Sequence, residues 1–218
     1  MRRIFILSLA LPFYLTAQAA AQTCTGMPAF SSGHMQIAGG GQFASGANSF
    51  GGTFGYGTPK NLYGKAGIGT TSYDAFSGSS FDLNLGGGYQ IPLQASRTTE
   101  LCPIASLSLG SGPKDVLGSG VDLSSRTFAF GASVGAVLGR NPQLRILPNA
   151  AFQFANTRAT ANDGTTSTSD SQSYGLLTLA TGFVFNSRFS LNPSINIPVG
   201  LDGSSTSFGL MGAMNFGR

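Results

Sequence analysis

The residues best equipped for chemistry in this 218-residue chain are two cysteines, Cys24 and Cys102, and one histidine, His34. Two cysteines without a histidine beside them lack a metal-ligand set, because zinc needs three or four N, S or O donors. In an oxidising compartment an even pair of cysteines forms a disulfide instead. A histidine can act as general base or orienter, provided that carboxylates stand beside it. The glycine runs at 39–41 and 86–88 invite a phosphate-loop reading. Neither completes the G-x-x-x-x-G-K-[ST] spacing, and Gly64-Lys65 has Pro59 where that motif's first glycine would stand. No cofactor and no metal are expected from these residues.

The N-terminus sets the compartment. Arg2 and Arg3 precede the apolar stretch "IFILSLALPFYL", and "TAQAAAQ" follows with Ala19 and Ala21 at signal-peptidase spacing. Residues 1–21 read as an export signal cleaved after Ala21. The apolar run is short and carries Pro12, which argues against an uncleaved anchor. Thr23 and Gln22 before Cys24 argue against a lipoprotein site. Loss of Arg2 and Arg3 leaves ten cations against eight acids, a net charge of +2. The basic pI therefore does not imply nucleic acid, and no basic stripe is present to grip phosphates.

Beyond residue 22 the elements are strands. In "SSFDLNLGGGYQIPL", Phe81, Leu83, Leu85, Gly87, Tyr89 and Ile91 alternate with Asp82, Asn84, Gly86, Gly88 and Gln90. The same period of two recurs in about ten runs, near 34–45, 48–57, 60–72, 79–91, 100–110, 124–139, 143–158, 172–186, 188–199 and 205–217. Most reach the ~9–11 residues that cross a bilayer at a tilt, longer than the ~5–6 of soluble strands. Connections alternate between tight ("GTPKN", "GRNPQ", "NSR") and long and polar ("YDAFSG", 111–124, 159–170), with a short outer loop at 45–48 and a long inner turn at 92–100 as exceptions. Asp74, Asp115, Asp122, Asp163, Asp170 and Asp202 fall on the outer side, and Lys60, Arg97, Arg140 and Arg188 on the inner side. Short inner turns alternating with longer external loops are the pattern of an outer-membrane barrel.

Periodicity alone does not say which face is wet. The polar faces here carry Gly, Ala, Ser and Asn with few charges, unlike the Lys- and Glu-rich outer face of a soluble sheet. Only 9% of the chain is charged, against roughly a quarter in ordinary soluble domains. These features place lipid outside and water inside. The expected fold is an all-β, antiparallel up-and-down transmembrane β-barrel of about ten strands, with eight as the alternative. Its parts are a signal at 1–21, a periplasmic lead at 22–33 and the barrel at 34–218.

The export signal, the alternating strands and the terminal "GAMNFGR" make residues 30–218 resemble the small outer-membrane β-barrel proteins of bacteria. The resemblance implies insertion in outer-membrane lipid, and Phe216 as the terminal aromatic read by the barrel-assembly machinery. It carries no catalytic motif. The topology puts Cys24 and Cys102 together at the periplasmic end as a disulfide that pins the lead. His34 falls at that same end, away from the surface where a barrel protease would need it. Lys65, Asp82, Asn84, Gly131, Ser133, Gly135, Arg145, Asn192 and Asn196 are expected to face the lumen. With 17 Phe, six Tyr and no Trp, an interfacial girdle must come from residues such as Tyr73, Phe76, Tyr174, Tyr63, Tyr89 and Phe189. The expected role is structural or interactive, with loops outward and an extracellular partner that the sequence does not name. A narrow solute pore is the alternative, ahead of a barrel enzyme or a secreted sandwich.

Overall fold

The computed structural model describes residues 21–25, 27–28, 34–58, 60–74, 78–94, 98–112, 121–138, 141, 143–186, 188–201 and 205–216. Apart from Ala21, the expected export signal lies outside them, as do Phe76, Arg97, Asp115, Arg140 and Asp202. Ten long strands follow the lead: β1 (Met35–Ala44), β2 (Ala47–Gly57), β3 (Leu62–Tyr73), β4 (Ser79–Tyr89), β5 (Thr99–Ser111), β6 (Asp122–Ala136), β7 (Leu144–Asn162), β8 (Ser167–Phe185), β9 (Phe189–Val199) and β10 (Ser207–Phe216). Each pairs antiparallel with the next, and β10 returns to β1 with Met35 opposite Phe216, so the sheet closes. A two-residue strand, Ile91–Pro92, extends the β4 side against Leu101 and Glu100 of β5.

Ten strands set aside the eight-strand alternative, and closure sets aside the secreted sandwich. The wall is inverted relative to a soluble fold. Ile68 is 56% exposed, Phe128 51% and Phe152 53%, all on the outside. Phe43 and Phe50 meet edge-on at 5.6 Å between ring centres, and Phe130 and Phe154 lie 5.7 Å apart, so the aromatics pack along the outer wall. A closed sheet is one of only two ways to satisfy every backbone group in hydrocarbon, where each orphan costs several kcal/mol.

The long polar loop expected at 159–170 is mostly strand. β7 and β8 each run for 19 residues, in register from Leu144↔Phe185 to Asn162↔Ser167, around a four-residue turn. Apolar alternation stops near Phe154 and hid this extension, but Thr and Ser pair well in a ladder that water can reach. β5 and β6 likewise extend through Ser111 and Asp122 into the expected 111–124 loop. At the opposite end, tight reversals use left-handed Asn61 (φ 61°) and Asn186 (φ 49°), a conformation that asparagine tolerates.

The β7–β8 turn is built on one carboxylate. Asp163 Oδ1 accepts the backbone N–H of Thr166 at 2.6 Å and of Thr165 at 2.9 Å, and both threonine hydroxyls donate to the same side chain. These bonds, Thr166's N–H foremost, hold the carboxyl well below the usual carboxylate range. A depressed folded-state pKa favours the turn at any pH above the unfolded Asp value near ~3.9, and that support is lost as pH falls through the lower, folded value. Amide protection at Thr165 and Thr166 should therefore stay level from pH 7 to about 4 and decline only in stronger acid. In Asp163→Ala it should be lost at every pH, as hydrogen exchange by NMR would show.

Close strand approach is tightest at two inner glycines. A Cβ on Gly131 would overlap the Phe152 carbonyl oxygen, and one on Gly40 would overlap that of Leu210. Gly131→Val should lower stability by ~1–3 kcal/mol, measured by urea titration of the folded, heat-shiftable gel band. An unchanged midpoint would mean that the wall relaxes freely there.

Candidate functional site

Inward-facing residues alternate along every strand, and their burial changes from one end of the barrel to the other. At the end with the tight turns, taken as periplasmic, Gln36, Tyr63, Glu100, Leu147, Val184 and Ser190 are buried. Gln36 donates Nε2 to Asn215 Oδ1 at 2.9 Å across the β1–β10 seam. Val137, Leu147 and Val184 form a small apolar core there.

The lead crosses this lower lumen. Ala21–Gln22 and Met27–Pro28 pair as a minimal hairpin around the 3₁₀ turn Thr23–Thr25. Cys24 is bonded to Cys102 of β5, with Cα atoms 6.1 Å apart. Ser133 of β6 donates Oγ to the Cys24 carbonyl at 2.5 Å, and Asn192 of β9 donates Nδ2 to the Thr25 carbonyl at 2.7 Å. Two successive peptide carbonyls are thus held from strands on different sides of the interior. Both need such donors, because a buried, unpaired carbonyl is costly.

Above the lead lies a cavity of about 610 Å³, with Cys24 and Thr25 as its floor. Lys65, Asp82, Asn84, Ser133, Asn192 and Asn196 all line it. Its wall is stiffened by cross-strand polar pairs: Ser49 with Thr71 at 2.8 Å, and Thr178 donating to Asn196 Oδ1 at 2.8 Å. Gly135 is buried and in phase with Ser133. Gly131 shares that face but is closed off by the Phe152 carbonyl. Arg145 stands on the inner parity of β7 near the periplasmic rim, opposite Val184.

Three girdle assignments are corrected. Tyr63 is only 4% exposed and lies inside, in phase with Lys65. Tyr73 shares that phase, and its hydroxyl meets Ser80 Oγ at 3.2 Å. Tyr174, in phase with Thr178, reaches Thr157 Oγ1 at 3.5 Å, also inside. Once Lys65 was placed inward, the period of two already required the same of Tyr63 and Tyr73; nearness to a strand end does not choose a face. Tyr89 and Phe189 do face outward, each 44% exposed. His34 precedes β1, where its carbonyl accepts the Gly57 N–H at 3.2 Å. Among the described residues, no group of three His, Cys, Asp or Glu could hold a metal.

A closed single-sheet barrel with an apolar outer wall and a polar interior defines an integral outer-membrane β-barrel. No family model and no curated sequence matches the chain. Among solved structures it resembles the β-domain of the Bordetella autotransporter BrkA, at 12% identity and a TM-score of 0.51, over 85% of this chain and 100% of that one. The NalP translocator domain of Neisseria meningitidis aligns at 12% identity and TM-score 0.49, over 87% and 89%. Ail of Yersinia pestis aligns at 13% and 0.44, over 85% and 99%. The BrkA likeness shows a shared fold alone.

The roles of Ser133 and Asn192 as clamps for the lead carried no sequence signal, because they act across 109 and 167 residues. In Cys102→Ser, the lead keeps only non-covalent contacts, the Ser133 and Asn192 hydrogen bonds among them. The Cys24 thiol should then react with a bulky maleimide in the folded barrel within minutes. Continued protection would show that the polar clamp suffices without the disulfide.

Proposed function

We propose that this chain is an outer-membrane anchor with a structural and interaction role, which presents its β7–β8 hairpin outward and does not act as an open channel. The observation that carries this reading is the lead tied across the lower lumen by Cys24–Cys102, Ser133 and Asn192. A passage blocked by covalently held backbone does not conduct steadily. The hairpin continues past the apolar belt as a rigid, polar, paired ribbon, the form suited to contact with something outside the cell.

The rest of the reading follows from export. Residues 1–21 direct the chain to the envelope, and Phe216, on the outer face opposite Met35, serves as the terminal signal for assembly. Seam pairing between β1 and β10 is the last step of closure, which gives a terminal aromatic a physical role there. The protein is read as non-enzymatic: its histidine stands at the periplasmic end of β1.

A narrow pore is the second reading, favoured by the small inner side chains and the 610 Å³ cavity. Planar-bilayer recording separates the two. The oxidised mature chain should give no steady unitary steps, whereas deletion of residues 22–28 should produce small steps that scale with salt. Steady steps from the oxidised, full-length mature chain would overturn the anchor reading.

A further inference from the structure

The outer wall carries few charges. Among the described strand residues four are cations: Lys65, Arg126, Arg145 and Arg158. Lys65 and Arg145 lie on inward positions. Arg126 and Arg158 lie outward, both exposed, and they are direct cross-strand partners in the β6–β7 ladder. Directly opposed residues have Cβ atoms ~4.5–5.5 Å apart, and like charges so placed destabilise a sheet. Two positive side chains have been placed in the least favourable relation to each other, on a wall where the one other charge among the described strand residues is Asp122, four residues above Arg126 on β6.

The flanking positions on that face do not neutralise them. Along β6 they are Phe128 and Ser124; along β7, Asn156 and Thr160; across the neighbouring ladders, Leu109 and Ser171. None is acidic. Arg158 donates Nη2 to Ser169 Oγ of β8 at 2.7 Å, which draws its guanidinium towards the polar ribbon and to the side away from Arg126. The level of the pair is equally specific. Phe128 lies two residues below Arg126, and Phe130 and Phe154, in ring contact, lie four residues below the pair. Two residues of strand rise ~6.6 Å, so the arginines stand just above the end of the hydrocarbon zone, where lipid headgroups lie. Their stems cover the Phe edge while the heads reach upward.

We propose that Arg126 and Arg158 form a clamp for the phosphate of an anionic lipid headgroup in the outer leaflet. A phosphate between the two side chains draws both planar guanidinium forks, Arg158's from Ser169, into charge-assisted, bidentate hydrogen bonds, and the anion removes the repulsion that the register imposes. The apolar shelf of Phe128 and Phe154 seats the acyl chains of the same molecule, which distinguishes a lipid phosphate from a free one.

The test uses the full mature barrel, refolded in neutral detergent, with bisphosphorylated lipid A as the probe. Native mass spectrometry should show lipid A retained by the wild type. Retention should fall about tenfold for R126S or for R158S, and further for the double variant, as expected for loss of charge-assisted hydrogen bonds. Dephosphorylated lipid A should be held no better by the wild type than by the double variant, and inorganic phosphate at millimolar levels should not compete. The double variant removes a like-charge contact, so its heat-shifted gel band must persist and report a folded barrel. Equal retention by wild type and double variant, or equal retention of dephosphorylated lipid A, overturns the clamp. Displacement by inorganic phosphate overturns the lipid assignment.

Discussion

Every feature of this molecule depends on backbone hydrogen bonding where water is absent. In hydrocarbon an N–H or C=O group can find a partner only in the chain itself. An antiparallel sheet meets that demand everywhere except at its two edges, and joining β1 to β10 removes both. Closure then dictates the rest. The outer face must be apolar, the inner face must be small or polar, and the strands must be long enough to reach from one interface to the other. The same demand explains why Phe, Leu and Ile stay exposed in numbers that would aggregate a soluble domain.

Closure also creates a problem, because ten strands enclose more space than small inner residues fill. The two ends of the barrel resolve it differently. At the periplasmic end, chain from outside the barrel enters the lumen, and its peptide groups become buried. Ser133 and Asn192 supply the donors those carbonyls need, and the disulfide to Cys102 keeps the segment from leaving. At the other end the polar cavity remains. The result is a barrel whose interior is a floored vestibule.

The outer surface shows the same logic at its boundary. Below the interface the wall is built mainly of apolar side chains. Above it, the β7–β8 ribbon is Ser- and Thr-rich on both faces, and its turn is tied by Asp163. Arg126 and Arg158 sit where the two regimes meet, the one level at which a long cationic side chain can keep both its stem and its head satisfied.

The alternation of side chains was legible in the residues alone, because a period of two is a local property of an extended chain. It was enough to read strands, their approximate number and a lipid-facing exterior. What local pattern could not decide was anything fixed by partners far away in the chain. The 159–170 segment reads as a polar loop, and becomes strand only because the two halves of the hairpin pair beyond the membrane. Tyr73 and Tyr174 look interfacial by position, yet ladder register turns them inward. Ser133 and Asn192 look like ordinary lumen residues until the lead is seated between them. The opposition of Arg126 and Arg158, 32 residues apart in sequence, exists only through the β6–β7 register. Alternation is set by each residue's own backbone; register, closure and the plug are set by which strands meet, and only the tertiary structure makes that choice.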